Sequence, residues 1–478
     1  MVNKKHGGGM IKLKQKAEIL SADTQTPVSL YLDIIGRKPG ILLESAEVDG
    51  RLGKYSILAW DFILELSCVQ GKLKVESRDA RLDALKEFDG LEFIEGLRKV
   101  LNSLEIEPLT KTRYPALTRS LVGYFGYGLT GLLEPKLAKV LSPEEAKTRL
   151  VLPAKVLLFE HLYHRCVFLT LEGHESLPRP KRLEEKKEIQ VGEVEFLFPR
   201  EEFEQSVRSI KEMIRQGEAI QVVLSTRFQA SFRGDPFTVY RHLRLINPSP
   251  YTFYMHFEEE TLVGSSPELM VKCEQGELEL RPIAGTRPRG KSEEEDKALA
   301  EDLLADEKER AEHVMLVDLG RNDLGRIATP GSVEVRKFMQ VEYFSHVMHL
   351  TSYLRAQLKS GLDALDVLGA TFPAGTVSGA PKIRAMEIIS QFEPFPRGIY
   401  AGAVGWLGLD KDSVNLDTGI TIRTLWFEQG KVYGQAGAGI VFDSVPEKEW
   451  QECQNKARAI LKALEQKGDT DDFAHRQL

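Results

Sequence analysis

Strand-like runs and long helical runs follow one another along this chain without regular alternation. Runs rich in β-branched and aromatic residues, such as 56–60 (SILAW) and 166–171 (CVFLTL), are frequent in the N-terminal third. Further along, apolar residues recur at helical spacing, as at Phe203, Val207 and Ile210. A parallel sheet needs a helix after nearly every strand, whereas this irregular order is typical of α+β proteins. The 478 residues, of which 42% are apolar, are enough to bury a large core.

Three helices and three strands can be predicted in the second part of the chain. The spacing of apolar residues predicts one helix that begins near Phe203 and ends before Gly217. It predicts two longer helices over 298–319 and 445–464. β-Branched residues, or apolar residues in alternation with polar ones, predict strands over 220–228, 277–281 and 432–435.

A change in composition divides the chain into two regions. Residues 176–194 contain two prolines and a run of charges, and we expect them to form a linker. The linker separates an N-terminal region, 14–175, from a longer region, 195–465. A glycine-rich flexible leader over 1–13 and a C-terminal tail over 466–478 complete the predicted organisation.

The charge balance excludes several classes of partner. The chain has 64 Lys and Arg against 71 Asp and Glu, a net charge of −7, so it lacks the basic surface that binds nucleic acids or anionic membranes. No apolar run reaches the length of about 18 residues that a transmembrane helix needs. The four cysteines are far apart in sequence, which predicts reduced thiols rather than disulfides or a zinc site. Together these features predict a cytoplasmic location.

Two pairs of glutamates have the spacing of a helix face. Glu309 and Glu312 lie three residues apart, as do Glu449 and Glu452, so each pair shares one face of its predicted helix. If the two faces met, they would form an all-oxygen site suited to Mg²⁺, which binds one or two carboxylates together with ligand oxygens. Acidic helix faces are more often simply solvated, and spacing alone leaves both interpretations open.

Glycine-rich runs follow several of the predicted strands. Gly285 and Thr286 lie in one such run, the run over 436–440 (AGAGI) forms a second, and that over 375–382 (GTVSGAPK) leads into a helix. Each could be a plain turn or could bring backbone N–H groups close to a ligand. Residues 285–292 (GTRPRGKS) also match a phosphate-binding loop, which would make the protein a nucleotide-dependent enzyme. The acidic residues that follow would repel phosphates, which disfavours that alternative.

Four single polar residues have two interpretations each. Gln221 lies on an apolar strand, where it either braces the fold or faces a site. His349 is a core histidine or a catalyst, since its ordinary pKa lies near neutrality. Arg423 and Lys456 are surface charges or partners of a ligand carboxylate.

Several of these runs, taken together and in order, resemble the chorismate-utilising enzyme family across residues 195–465. The matching runs are 283–287 (IAGTR), 312–323 (EHVMLVDLGRND), 375–382 (GTVSGAPK) and 435–440 (QAGAGI). Two further runs extend the resemblance over nearly the whole chain and towards the anthranilate-forming branch of the family; they are 42–45 (LLES) and 247–251 (NPSPY).

The resemblance implies both a fold and an activity. The family fold consists of two packed antiparallel β-sheets flanked by helices, in agreement with the α+β prediction. The implied enzyme converts chorismate and ammonia to anthranilate and pyruvate, the first committed step of tryptophan biosynthesis, with Mg²⁺ as cofactor. Region 195–465 would bind chorismate, and region 14–175 would be regulatory.

The resemblance also assigns roles to residues. Glu312 and Glu452 would bind Mg²⁺ directly, with support from Glu309 and Glu449. Glu309 would also be the general acid, and His349 and Thr376 would take part in catalysis. Substrate would contact Gly285, Thr286, Tyr400, Arg423, Gly437, Ala438, Gly439 and Lys456.

Three positions distinguish the branches of the family. Water-using relatives carry a lysine base at the position of Gln221, and glutamine cannot deprotonate water, so Gln221 indicates an amine nucleophile. Ala284 and Thr376 favour anthranilate formation over the branch that makes 4-amino-4-deoxychorismate, in which lysine is frequent at the position of Ala284. The aminodeoxychorismate-forming activity is the alternative that these positions leave open.

A partner and an inhibitor are expected as well. No glutaminase segment is recognisable, so we expect a separate glutamine amidotransferase subunit that supplies ammonia within a hetero-oligomer. A tryptophan inhibitor pocket is predicted from the two companion runs. A non-catalytic amino-acid sensor could keep that pocket, but the intact set of glutamates argues against it. The residues of this predicted pocket are Glu44, Ser45, Pro250, Tyr251 and Thr252.

Overall fold

The computed structural model describes residues 9–22, 24–46, 52–109, 114–163, 165–177, 189–344 and 347–465. Within these residues the chain forms 23 strands. They are β1 Ile11–Ser21, β2 Gly40–Ala46, β3 Leu52–Val69, β4 Lys72–Ser77, β5 Leu104–Glu107, β6 Ser120–Phe125, β7 Thr148–Glu160, β8 Arg165–Leu171, β9 Gln190–Val191, β10 Glu195–Phe196, β11 Gln221–Arg233, β12 Tyr251–His256, β13 Glu260–Ser266, β14 Leu269–Glu274, β15 Glu277–Leu280, β16 Ile283–Pro288, β17 Glu334–Tyr343, β18 Val347–Gln357, β19 Gly379–Ala380, β20 Ala403–Gly408, β21 Leu416–Ile420, β22 Thr424–Glu428 and β23 Lys431–Ile440.

Eleven α-helices lie in the same described residues, together with short 3₁₀ turns. The helices are α1 Pro27–Leu30, α2 Phe93–Ser103, α3 Thr130–Leu133, α4 Arg200–Arg215, α5 Pro236–Ile246, α6 Glu293–Ala305, α7 Glu307–Gly325, α8 Ala364–Thr371, α9 Gly375–Ser378, α10 Lys382–Phe392 and α11 Pro446–Glu465.

Most of the predicted elements are confirmed, and one is wrong. Helices α4 and α11 and strands β11, β15 and β23 lie where the apolar spacing predicted them. The single long helix over 298–319 is instead two helices, α6 and α7, which meet at Asp306. The Asp306 carboxylate accepts hydrogen bonds from the backbone N–H groups of Lys308 and Glu309, so it caps α7 and starts a new helix axis there.

Antiparallel ladders connect the strands into two layers. Among the described residues, every pairing between named strands is antiparallel except that of β1 with β5. The long strands β3 and β7 pair with each other and belong to both layers. One layer runs from β7 through β6, β20, β21, β14 and β15 to β18, which carries β16 and β17. The other runs from β3 through β2, β12, β13, β22 and β23 to β11.

The core between the two layers takes side chains from both of them. Ile57 and Phe253 of one layer and Tyr124 and Val404 of the other belong to one buried apolar cluster. Helices cover the outer faces: α2 and α8 pack in one cluster, and α5 and α11 in another. Two packed antiparallel sheets flanked by helices are therefore confirmed as the architecture.

Strand pairing crosses the predicted linker. β2 of the N-terminal region pairs with β12 of the longer region, and β6 pairs with β20. Strand β1 begins at Ile11, so the last three residues of the predicted leader belong to the sheet, and Leu13 is buried. Residues 1–8, most of the predicted linker (178–188) and the predicted tail (466–478) lie outside the described residues.

In the part of the chain that the structure describes, no helix is both long enough and apolar enough to cross a membrane.

Candidate active site

A polar cavity of about 240 Å³, here called the small cavity, lies between the two layers. Its walls come from β11, β16, β18 and β23 and from helices α7, α9 and α11. The structure thus brings together side chains that are up to 239 positions apart in the sequence, from Gln221 to Ile460. The predicted site residues that line it are Gln221, Gly285, Thr286, Glu312, His349, Thr376, Tyr400, Arg423, Gly437, Gly439, Glu452 and Lys456.

The glycines of the run 436–440 belong to strand β23 and not to a loop, which corrects the sequence prediction. Because side chains alternate along a strand, Gly437 and Gly439 face the small cavity, whereas Ala438 is fully buried in an apolar cluster. Ala438 is therefore not among the residues that contact the cavity. β22 pairs with β23 only as far as Gly434, so in the described ladder the cavity-lining part of β23 has one unpaired edge.

Glycine is needed on β23 because neighbouring side chains occupy the space of a Cβ atom. A Cβ on Gly437 would lie 2.7 Å from the Tyr400 hydroxyl oxygen. A Cβ on Gly439 would lie 2.5 Å from Nε2 of Gln221. The glycines therefore let Tyr400 and Gln221 extend across the strand into the cavity.

A bulge in β16 orients Gly285, Thr286 and His349. The register with β18 shifts between Ala284 and Arg287, and Gly285 has a φ of 66°, which an L side chain rarely adopts. The Gly285 carbonyl lies 2.7 Å from Nδ1 of His349, and the Thr286 hydroxyl lies 3.1 Å from the same nitrogen. A carbonyl only accepts, so Nδ1 carries the proton and Nε2 does not. Burial lowers the pKa of His349, which keeps the ring neutral.

Two positively charged side chains line the cavity, and among the described residues one lacks an ion-pair partner whereas the other has one. Arg423 has a φ of 51°, a strained value for a residue other than glycine, and within the described residues no carboxylate lies within ion-pair distance of its guanidinium group. Burial lowers its pKa, so an anionic ligand would be strongly stabilising there. Lys456 is already engaged: its ammonium group lies 2.6 Å from the Glu452 carboxylate and donates to the Gly437 carbonyl at 2.9 Å.

The four glutamates of the predicted metal site occupy two shells around the cavity. Glu312 and Glu452 line it, whereas Glu309 and Glu449 do not. Burial raises the pKa of Glu309, and the charge of Glu312 adds to that shift. Burial also raises the pKa of Glu449, to which the charge of Glu452 contributes. Like-charged carboxylates that repel one another in this way are stabilised by a cation.

The donor set fits Mg²⁺ only if other oxygens complete the coordination. Among the described residues, no three His, Cys, Asp or Glu side chains cluster closely enough to hold a metal ion by themselves. Mg²⁺ ordinarily binds one or two protein carboxylates and takes its other oxygens from water and substrate. Glu312 and Glu452 could supply those two carboxylates.

Glu268 also lines the cavity, and the sequence analysis missed it. Burial raises the pKa of this carboxyl group to about 7, although the Thr376 hydroxyl and the charges of Lys456 and Arg423 oppose the shift. It lies between Pro267 and Leu269, immediately after β13. Its sequence neighbours, two serines and Pro267 before it and three apolar residues after it, give no signal that could have identified it.

A buried ion pair supports the cavity wall from behind. Arg397 pairs with Glu393 at 2.7 Å and donates to the carbonyls of Val377 and Val223 at 2.6 and 2.7 Å. Both valines line the small cavity. Glu393 also accepts hydrogen bonds from the backbone and hydroxyl groups of Ser225. This network fixes the relative position of β11 and α9.

The run 285–292, which matches a phosphate-binding loop, already has acidic neighbours bonded to its backbone N–H groups. The backbone N–H of Gly290 donates to Asp296 at 2.6 Å, and that of Lys291 donates to Glu295 at 2.7 Å. Arg289 also pairs with Asp296. Phosphate would have to displace carboxylates from these amides, so the nucleotide-dependent alternative gains no support.

A second cavity of about 620 Å³, here called the large cavity, contains all five residues of the predicted inhibitor pocket. Tyr251 donates a hydrogen bond to Asp417 at 2.7 Å, and Glu44 accepts from Tyr240 and pairs with Arg244 at 2.8 Å. Two of the five residues belong to β2, two to the start of β12, and Pro250 directly precedes β12; strand pairing places Glu44 opposite Thr252.

Comparison with known proteins places these features in a family. Residues 49–462 match the model of the chorismate binding enzyme family. A protein of Aquifex aeolicus named anthranilate synthase component 1 is 44% identical over 93% of each chain, and one of Methanothermobacter marburgensis with the same name is 40% identical over 97% of this chain and 98% of its own. The crystal structure of anthranilate synthase component I from Streptococcus pneumoniae superposes with a TM-score of 0.72 at 34% identity, over 93% of this chain and 99% of that one. The chain therefore belongs to the chorismate-binding enzyme family.

Proposed function

We propose that this chain is the large subunit of a Mg²⁺-dependent anthranilate synthase, which converts chorismate and ammonia to anthranilate, pyruvate and water. The observation that carries the proposal is the small cavity, where an amide (Gln221), a half-buried acid (Glu268), an unpaired cation (Arg423) and a neutral imidazole (His349) converge. The names of the relatives agree with this reaction.

Arg423 is the anchor for a substrate carboxylate. Its side chain is half-buried in the cavity wall and forms no ion pair among the described residues, so a carboxylate would neutralise it with two parallel hydrogen bonds. The Tyr400 hydroxyl adds a donor on the same wall. The enolpyruvyl carboxylate of chorismate would bind between these two side chains.

Glu268 rather than Glu309 is the general acid in this proposal. The hydroxyl group at C4 of chorismate is a poor leaving group and must be protonated as it departs. The pKa of Glu268, about 7, leaves a large part of this carboxyl group protonated at neutral pH, and the group lines the cavity. Glu309 does not line the cavity.

Gln221 orients the nucleophile. Its Nε2 donates to Glu312 at 3.1 Å, which leaves the amide carbonyl oxygen as an acceptor in the cavity. Ammonia can donate one N–H to this oxygen while its lone pair attacks C2. Ammonia is already neutral and nucleophilic, so no base is needed at this position.

His349 then accepts the proton from C2. Its Nδ1–H is fixed on the Gly285 carbonyl, so the unprotonated Nε2 is available as a base. As the C2–H bond breaks, the C3–O bond breaks too and the ring becomes aromatic; the enolpyruvate that leaves takes up a proton at its methylene carbon and becomes pyruvate. The bulge that holds Gly285 thereby sets the tautomer that the second step requires.

Glu312 and Glu452 would hold Mg²⁺, with Glu309 and Glu449 behind them. When bound, the ion supplies a Lewis acid that neutralises and orients the ring carboxylate. The glutamates themselves repel one another without a cation, so Mg²⁺ should raise the melting temperature of the protein. Glu312→Gln together with Glu452→Gln should abolish that shift, and an unchanged shift would contradict the assignment.

The nearest alternative activity stops at 4-amino-4-deoxychorismate. Ala284 is buried and lines the cavity at the position where that branch frequently has a lysine. A small apolar side chain cannot supply that amino group. Ala284 therefore supports anthranilate formation.

Regulation and partnership complete the proposal. The five residues predicted to bind the inhibitor tryptophan all line the large cavity, which supports feedback inhibition by tryptophan bound there. A glutamine amidotransferase subunit would supply ammonia in a cytoplasmic hetero-oligomer, and the component 1 names of the relatives agree with a second component.

Product identification tests the proposed activity. Purified protein is incubated with chorismate, Mg²⁺ and an ammonium salt, and the products are separated by chromatography. We expect fluorescent anthranilate, its loss on chelation of Mg²⁺ and its recovery when Mg²⁺ is restored. Accumulation of aminodeoxychorismate or isochorismate instead would overturn the proposal.

A further inference from the structure

The large and small cavities share one wall. Pro267 lines both of them, whereas its neighbours are divided: Glu268 lines the small cavity and Leu269 lines the large one. Pro267 and Glu268 join β13 to β14, which begins at Leu269. A displacement of this short segment from the side of the large cavity would therefore move the Glu268 carboxyl group.

A second segment links the cavities in the same way. Strand β21 carries Asp417, which lines the large cavity, and Arg423, which lines the small cavity, follows three residues after the strand ends. The two segments are bonded to each other, since the backbone N–H of Ile420 donates to the Glu268 carbonyl at 3.0 Å. Glu268 and Arg423 thus lie on two adjoining segments that begin in the large cavity.

Tyr251 contacts one segment with its side chain and lies beside the start of the other through its backbone. Its backbone lies opposite Ser266 in the β12–β13 ladder, one residue before Pro267. Its hydroxyl donates to the Asp417 carboxylate at 2.7 Å, and its ring packs over Gly419, where a Cβ would lie 2.6 Å from a ring carbon. The side chain of one residue in the wall of the large cavity therefore contacts β21, and the backbone of the same residue pairs with the end of β13, from which the Pro267–Leu269 segment continues.

We infer that Tyr251 is a positioning residue for the small cavity, and that its hydrogen bond to Asp417 couples the two cavities so that their ligands weaken each other's binding. The inference rests on the proposed function and deepens its regulation. A ligand in the large cavity that displaces the Tyr251 ring moves Pro267–Leu269 and the end of β21 together. Because binding linkage is reciprocal, chorismate must weaken tryptophan binding by the same factor as tryptophan weakens chorismate binding.

Tyr251→Phe tests this coupling, because it keeps the ring and removes only the hydroxyl. Tyr124→Phe is the matched control: the Tyr124 hydroxyl also donates to a carboxylate, that of Glu260 at 2.6 Å, but Tyr124 lines neither cavity. Tryptophan affinity is measured by calorimetry with Mg²⁺, with and without chorismate, in the absence of ammonium so that no amination occurs.

The ratio of the two tryptophan dissociation constants is the decisive quantity. We expect chorismate to weaken tryptophan binding to the wild type and to the Tyr124→Phe control by the same factor. In Tyr251→Phe that factor should move towards one by at least about fivefold. A Tyr251→Phe protein that binds tryptophan with the wild-type factor would overturn the inference.

Steady-state kinetics without tryptophan provide a second measurement, independent of inhibitor binding. We expect KM for chorismate to rise at least about fivefold in Tyr251→Phe, with a smaller change in kcat, because Arg423 and Glu268 are less well positioned. An unchanged KM would contradict the positioning role. If the wild type binds no tryptophan at all, the proposed inhibitor site is wrong, while the KM measurement still decides the role of Tyr251.

Discussion

The carboxyl group of Glu268 illustrates how strongly its surroundings determine the chemistry of a single residue. Glutamate is ordinarily ionised at neutral pH, but burial in the cavity wall raises the pKa of Glu268 to about 7. In the sequence it is one of 71 acidic residues and has no distinguishing spacing. Only the fold shows that it shares a cavity with Arg423, Thr376 and Lys456, and so the sequence alone favoured Glu309 as the acid.

Replacement of Glu268 should lower the activity of the protein and raise its stability. Between about pH 4.5 and 7 the folded protein keeps a proton on Glu268 that the unfolded chain has lost, so this group lowers stability as pH rises through that window. The full effect corresponds to about 3 kcal/mol above pH 7. The free energy of unfolding of Glu268→Gln, measured by urea denaturation relative to that of wild type, should therefore increase by up to about 3 kcal/mol between about pH 4 and about pH 8.

The same variant should lose about 10²- to 10⁴-fold in kcat, the usual contribution of a general acid. Glu309→Gln is the matched control, and it should raise the Mg²⁺ concentration needed for activity more than it changes the rate at saturating Mg²⁺. An active Glu268→Gln protein and an inactive, Mg²⁺-saturated Glu309→Gln protein would return the role of acid to Glu309.

At the scale of single elements, strand β23 departed most from the sequence prediction. Glycine is depleted in strands, so the run 436–440 was interpreted as a loop. The glycines are there because Tyr400 and Gln221 cross the strand within 2.7 and 2.5 Å of where Cβ atoms would lie. Such a requirement arises from a partner more than 30 residues away, and no local pattern contains it.

Gly439→Ala should displace Gln221 without breaking β23. The backbone at this position does not need a positive φ, so alanine is tolerated by the strand itself. We expect kcat/KM to fall about a hundredfold, the scale of a misplacement of about 1 Å in a catalytic site, with a measurable loss of stability. The double variant Gly439→Ala, Gln221→Ala should recover the stability but not the activity; recovery of neither would show that another contact is responsible.

The junction of α6 and α7 was also missed, because a run of acidic residues hides the capping role of Asp306. Asp306→Ala should cost about 1 kcal/mol by chemical denaturation, the usual value for a lost N-cap. It should also weaken Mg²⁺ binding, because Glu309 lies in the first turn of α7. Asp306→Asn keeps the capping oxygen and should behave nearly as wild type; equal losses in both variants would instead implicate the Asp306–Arg287 ion pair.

The whole molecule is where sequence and structure agreed best. Irregular strand and helix order predicted α+β, and the ordered runs predicted which distant residues meet: twelve of the predicted site residues line one cavity and all five inhibitor residues line another. The sequence could not show that strand pairing crosses the predicted linker, because pairing between distant strands is set by the fold rather than by local pattern.

The proposed two-component organisation predicts the nitrogen source of the isolated chain. Without its partner the protein should make anthranilate from ammonium salts and show no activity with glutamine. Addition of a glutamine amidotransferase subunit should restore glutamine-dependent activity. Full activity of the purified chain with glutamine alone would contradict this organisation.

The central claim is that the small cavity carries out both amination and elimination on one substrate. The most direct test is the amount of pyruvate released per chorismate consumed, with Mg²⁺ present and ammonium as the nitrogen source. The proposed roles of Glu268 and His349 predict one pyruvate and one anthranilate for each chorismate. Consumption of chorismate without release of pyruvate would contradict the account.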